Sequence, residues 1–303
     1  MVSFTEALAA GPVVLDGGLS NQLEAGGHDL GDALWSARLL ADRPDAVRAA
    51  HLAYFRAGAD VATTASYQAT YEGFAGRGID AGRTSELLAL SVQLAREAAR
   101  QAQAEGVTRP LWVAASAGPY GAMLADGSEY RGRYGLSVDE LERFHRPRLE
   151  VLAAAGPDVL ALETVPDVLE ARALVRAVRG LGVPAWLSFS VACGRTRAGQ
   201  PLDEAFAVAA EAEEVVAVGV NCCAPQDADA AVPRAARITG RPVVVYPNSG
   251  ERWDAERRAW CGPATFTAEG RAARWVRDGA RLVGGCCRVG PEGIATLAAQ
   301  VRA

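Results

Sequence analysis

The sequence predicts an α/β fold, a single (β/α)8 barrel of the TIM type. Short runs of β-branched and apolar residues alternate with longer amphipathic stretches along the whole chain. Near-continuous apolar strands separated by helices indicate a parallel sheet covered on its faces. Eight such units in 303 residues fit a closed barrel. An open doubly wound sheet is the alternative, and periodicity alone does not separate the two.

In chain order, the strand candidates are PVVLDG (12–17), DVATTASY (60–67), LWVAASAGPY (111–120) and DVLALETVP (158–166), then PAWLSFSV (184–191), VVAVGVNC (215–222), RPVVVYPNS (241–249) and ARLVGGCC (280–287). The helical stretches between them begin with PDAVRAAHLAYFRAGA, RTSELLALSVQLAREAARQAQA, SVDELERFHRPRLEVLAAAG and PDVLEARALVRAVRGLG. PLDEAFAVAAEAE, DADAAVPRAARI, TAEGRAARWVRDG and PEGIATLAAQVRA complete the set. Ser137 with Glu140 three residues on reads as a capping box. Pro166-Asp167 and Pro291-Glu292 give proline and acidic helix-start signals. Two long loops, 118–136 and 250–265, follow strands and would overhang the C-terminal face, where such barrels build their sites. No linker or repeat divides the chain, so residues 1–303 read as one domain.

Composition narrows the function. The net charge of −5 argues against a nucleic-acid surface or an acidic-membrane anchor, leaving small molecules as expected partners. No apolar run is long enough to span a bilayer, and MVSFTEALAAGP lacks the pattern of a secretory signal. A cytoplasmic, reducing location is therefore expected. All 31 basic residues are arginine, which excludes a P-loop and Schiff-base chemistry on a lysine.

Polar and unusual residues collect at the strand ends: Asp16-Gly17-Gly18, Ser66-Tyr67-Gln68, Glu163-Thr164, Cys222, Asn248 and Cys286-Cys287. Closing a barrel brings these ends around one axis. Three thiolates from Cys222, Cys286 and Cys287 would leave one tetrahedral position open on a zinc ion. Neighbours on a regular strand point to opposite faces, so Cys286 and Cys287 reach one metal only where the backbone leaves the pleat; Gly284-Gly285 offers that freedom. Buried packing thiols and a vicinal disulfide are the other readings of these cysteines.

VLDGGLSNQLEAGG, AGADVATTASYQATYEGF, ALETVPD, GVNC, VVVYPNSGE and GGCCRVGP resemble the homocysteine S-methyltransferase family, especially the bacterial and plant enzymes that use S-methylmethionine. GDALWSARLL, LADGSEYRG and FHRPR extend the likeness beyond the strand ends. The resemblance implies a zinc-dependent (β/α)8 barrel with Zn2+ on Cys222, Cys286 and Cys287. Cys223 departs from the family pattern and is read as packing, as are Cys193 and Cys261, the last with the option of exposure.

The implied reaction methylates homocysteine to methionine from a sulfonium donor, S-methylmethionine ahead of S-adenosylmethionine. Zinc binding would ionise the acceptor thiol, so no protein general base is assigned. Asp16 and Glu163 are expected to bind the homocysteine ammonium, and the Gly17 and Gly18 amides its carboxylate. Tyr67, Tyr120, Tyr130 and Glu129 are donor-side candidates, with Ser66 and Asn248 in supporting positions. His28, His51 and His145 have no metal spacing and are read as non-catalytic. Two competing functions are a zinc hydrolase, weakened by the lack of a histidine–carboxylate ligand set, and a non-catalytic homocysteine-binding barrel with a structural zinc or redox site.

Overall fold

The computed structural model describes residues 2–31, 34–254, 259–266 and 270–303. The middle of the second long loop, the first residues of the seventh helical stretch and part of GDALWSARLL lie outside them. All eight expected strands form: β1 (Val13–Val14), β2 (Val61–Thr63), β3 (Trp112–Ala117), β4 (Val159–Val165), β5 (Ala185–Phe189), β6 (Val215–Asn221), β7 (Val243–Tyr246) and β8 (Ala280–Val283). They pair in parallel in the order β1-β8-β7-β6-β5-β4-β3-β2. A parallel bridge from Leu15 to Val61 closes the ring between β1 and β2, so the sheet is a barrel and not an open doubly wound sheet.

One major helix follows each strand: α1 (Pro44–Ala57), α2 (Ala81–Ala104), α3 (Val138–Ala154), α4 (Val168–Ala177), α5 (Leu202–Ala207), α6 (Pro225–Thr239), α7 (Arg271–Arg277) and α8 (Pro291–Arg302). The Ser137 capping box at α3 is present with both bonds made. At α4 the cap is Asp167, whose carboxylate accepts from Leu169 N; Pro166 therefore precedes the cap instead of occupying the first helical position. Both long loops contain short structure. The first holds a helix at Tyr120–Leu124 and a 3₁₀ turn at Ser128–Tyr130, and the second an antiparallel pair, Arg252–Asp254 with Ala259–Cys261.

The core has two layers. Strands and helices enclose a large outer cluster, while Leu15, Val61, Trp112, Ala114, Val159, Ala161, Trp186, Ala217, Val244, Tyr246 and Leu282 fill the barrel interior. The helix Phe4–Ala10 plugs its N-terminal floor through Phe4 and Leu8, with the Phe4 and Trp112 ring centroids 6.2 Å apart. Alternate residues of a strand face one side. Stepping upward in twos from this apolar floor reaches Thr63, Ser116, Glu163, Ser188, Asn221 and Tyr246, where the interior turns polar.

Candidate active site

Cys222, Cys286 and Cys287 meet at the C-terminal mouth, their sulfurs all within 4.8 Å of one another. The Cys222–Cys287 and Cys286–Cys287 sulfur separations are 3.7 and 4.0 Å. Tetrahedral zinc bonds of about 2.3 Å to sulfur would set ligand sulfurs about 3.8 Å apart, so these thiols fit one zinc with a position to spare.

Backbone geometry explains how the thiols converge. Cys222 lies in the left-handed region at φ 47°, as does Thr164 beside it at φ 62°. Asn221 links the two bends: its Oδ1 accepts from Thr164 N at 2.7 Å and its Nδ2 donates to Thr164 Oγ1 at 2.7 Å. Cys286 and Cys287 leave the pleat through a turn closed by Val289 N to Cys286 O, with Arg288 at φ 67°. Gly284 and Gly285 are therefore not left-handed hinges. Their role is close approach: a Cβ on Gly284 would come within 2.6 Å of Leu15 Cβ, and one on Gly285 would strike the Val289 side chain.

The thiols are electrostatically coupled. Hydrogen bonds from Cys286 and Cys287 pull Cys222 well below the ordinary thiol range, and the Cys222 sulfur pushes the other two up. Tyr130 hydroxyl lies 3.0 Å from Cys222 Sγ, and the Arg197 guanidinium sits 5.4 Å from the Tyr130 ring centroid. One face of Tyr130 is thus covered by Arg197, while the residue still lines the pocket as a donor-side candidate.

Two carboxylates share the pocket wall. Asp16 accepts from Thr63 N at 2.7 Å and Thr63 Oγ1 at 2.9 Å. Glu163 accepts from Ser116 Oγ and, at 3.0 Å, from Tyr246 hydroxyl. Burial pushes Asp16 up to about 8 and Glu163 to about 7, more than these bonds can offset. The sequence reading missed Thr63, Ser116, Ser188, Asn221 and Tyr246. The two-residue step along each strand is the signal that would have found them.

Asp16, Gly17, Gly18, Tyr67, Glu129, Tyr130, Glu163 and the three cysteines all line one open pocket of about 750 Å³, counted with its mouth. The Gly18 amide is not free for a substrate carboxylate, because it donates to Val289 O at 3.0 Å. Both glycines instead let the first loop lie against residues 286–289. Three candidates lie outside the lining. Ser66 is buried, bonding Thr64 and Ser116 O; the Tyr120 ring packs on Tyr134 and Phe144; and Asn248 N donates to Cys223 O. Cys223 is fully buried in the outer core, as expected of a packing thiol, and Cys261 is half-buried. Cys193 is exposed on a hairpin, which corrects its reading as packing. Among the described residues no histidine lines the pocket and His51 is buried without a hydrogen-bond partner, while His145 bonds Glu170 and Arg148 on the outer wall.

A closed (β/α)8 barrel carrying a three-thiol metal site and a carboxylate-walled pocket defines a metal-dependent barrel enzyme class. The homocysteine S-methyltransferase family model matches residues 13–301. Homocysteine S-methyltransferase 4 of Zea mays is 48% identical, covering 97% of this chain and 90% of that protein. Homocysteine S-methyltransferase YbgG of Bacillus subtilis (strain 168) is 45% identical, covering 96% of this chain and 94% of that protein. The crystal structure of the metallated form of the homocysteine methyltransferase MmuM from Escherichia coli matches with a TM-score of 0.85 at 44% identity, over 96% of each chain. The chain belongs to the homocysteine S-methyltransferase family.

Proposed function

We propose that this chain transfers a methyl group from a sulfonium donor, S-methylmethionine first, to the thiol of L-homocysteine, giving methionine. The observation that carries the reading is the set of three sulfurs at the spacing of one metal, inside a pocket whose other polar wall is anionic. We take residues 1–303 as one homocysteine-binding domain acting in the cytoplasm, where its thiols stay reduced.

Cys222, Cys286 and Cys287 would hold Zn2+, which when bound would lower the acceptor thiol's pKa so that no protein base is needed at neutral pH. Three thiolate ligands keep the site electron-rich, which suits alkylation of a bound sulfur better than hydrolysis by bound water. Asp16 and Glu163 hold the homocysteine ammonium, each fixed in place by neutral donors of the barrel. The homocysteine carboxylate lies toward Gly17 and the start of the short helix Leu19–Ala25, whose first residues Leu19 and Ser20 also line the pocket. Tyr67 flanks the donor. In the transfer a new S–CH3 bond forms on homocysteine while the donor C–S bond breaks, its electron pair staying on the departing thioether. Positive charge disappears in this step, so the protein's task is alignment.

The test is a methyl-transfer assay with S-methylmethionine, S-adenosylmethionine and betaine, each with and without chelator. Chelator-sensitive formation of methionine, fastest with S-methylmethionine, is expected. Methylation of homocysteine by metal-free protein would refute the reading.

A further inference from the structure

Three carboxylates line the pocket, and they are not equivalent. Asp16 and Glu163 interact with one another, and the barrel supplies donors to both. Glu129 stands apart on the first long loop, beside Tyr67 and facing Cys222, and its Oε2 is buried with no hydrogen-bond partner among the described residues. Leaving a buried carboxylate oxygen unbonded is costly unless a ligand completes it.

The loop is built to hold Glu129 there. Ser128 is buried; its amide donates to Asp126 Oδ1 at 2.9 Å, its hydroxyl accepts from Arg131 at 2.6 Å, and its carbonyl accepts from Gly132 N. Gly121 packs so closely on the 128–129 peptide that a Cβ would strike Glu129 N. The LADGSEYRG segment thus folds into a rigid turn presenting Glu129 and Tyr130 together. Among the described residues no arginine lines the pocket, so a cationic group on a ligand is the partner the site can receive.

We propose that Glu129 recognises the α-ammonium group of the methyl donor and so makes the enzyme selective for sulfonium donors that are amino acids. This rests on the methyltransfer reading above. A carboxylate pressed on the sulfonium itself would stabilise a charge that vanishes in the transition state and would slow transfer. On the ammonium, whose charge persists, the same carboxylate holds ground and transition states equally.

The experiment compares S-methylmethionine with 4-(dimethylsulfonio)butanoate, the same sulfonium lacking only the α-amino group, on wild type, Glu129→Gln and Glu129→Asp. In the wild type, kcat/KM is expected to favour S-methylmethionine by roughly 10- to 100-fold, the value of a charged hydrogen bond. Glu129→Gln should raise the S-methylmethionine KM by a similar factor and erase the preference. Its kcat should stay within about threefold, with homocysteine KM and zinc content unchanged. Glu129→Asp should fall between. Equal use of both donors by the wild type overturns the assignment while leaving the reaction intact, and needs no variant to fold. A Glu129→Gln effect on homocysteine KM instead of donor KM also overturns it. Wild-type enzyme that methylates homocysteine from neither donor overturns the reaction and the assignment together.

Discussion

The two ends of the barrel use the same device for different purposes. At the floor, Asp60 accepts from Val14 N at 2.9 Å and Asp158 from Val113 N at 2.6 Å, each carboxylate tying its strand to a neighbour. At the mouth, Asp16 does the same with Thr63 N. The floor acids are completed by arginine: Arg109 and Arg302 reach Asp60 at 3.0 and 2.7 Å, and Arg96 reaches Asp158 at 2.6 Å. Among the described residues, Asp16, Glu163 and Glu129 have no such partner. A carboxylate paired within the protein is completed internally, whereas a buried one without a cation resists ionising until a ligand's positive charge meets it.

Variants at the two ends should therefore fail differently. Cys286→Ala carries the largest expected effect: zinc falls from about one per chain to near none, and methyl transfer is lost. Metal analysis alongside the assay checks this, and a thermal collapse matching that of a floor variant would blur the contrast. Asp60→Ala comes next. Removing this carboxylate leaves Val14 N without its acceptor and two partly exposed arginines without their partner, which should cost about 1–3 kcal/mol in urea unfolding, with zinc content and homocysteine KM unmoved.

Glu163→Gln should do the reverse. The folded protein raises this acid from 4.5 to about 7, so its stabilising contribution is complete below pH 4.5 and is lost as pH rises through 7. Removing the charge should make the zinc-free protein more stable by about 3 kcal/mol at pH 8 and by about 1 at pH 5. Homocysteine KM should rise roughly 10- to 100-fold, the loss of one charged hydrogen bond. Denaturation at the two pH values separates the outcomes; a destabilised Glu163→Gln would contradict the division of roles. Tyr246→Phe is the mildest in the assay: it removes one neutral donor from Glu163 and leaves buried Trp186 Nε1 without its acceptor, for about 1–3 kcal/mol of stability and a few-fold rise in homocysteine KM.

Strand positions were legible because each apolar run is bounded by turn residues and followed by an amphipathic stretch. The metal ligands were legible through GVNC and GGCC. Being at a strand end was a weaker guide, since it does not say which way a side chain points. Ser66, Tyr120 and Asn248 satisfy it and yet lie outside the pocket lining, whereas Tyr246 and Ser116 lie one step lower and bond Glu163 in the barrel interior. The Gly18 amide was misread because its acceptor, Val289 O, belongs to the last unit of the barrel, a contact no local pattern announces. The pairing of floor acids with arginines was hidden for the same reason.

The seam between β1 and β8 has a consequence for how the protein comes into being. Val13 pairs with Leu282 and Asp16 O with Gly285 N, so opposite ends of the chain meet there. Contacts so distant in sequence carry the highest loop-closure entropy and slow the folding steps that form them. Cys286 and Cys287 follow that seam directly. A nascent chain can shape most of its helices and its Cys222 bend before they are synthesised, yet the metal site is complete only when the ring shuts. The three thiols come together only once the ring has shut, and a chain truncated before β8 holds one ligand of the three.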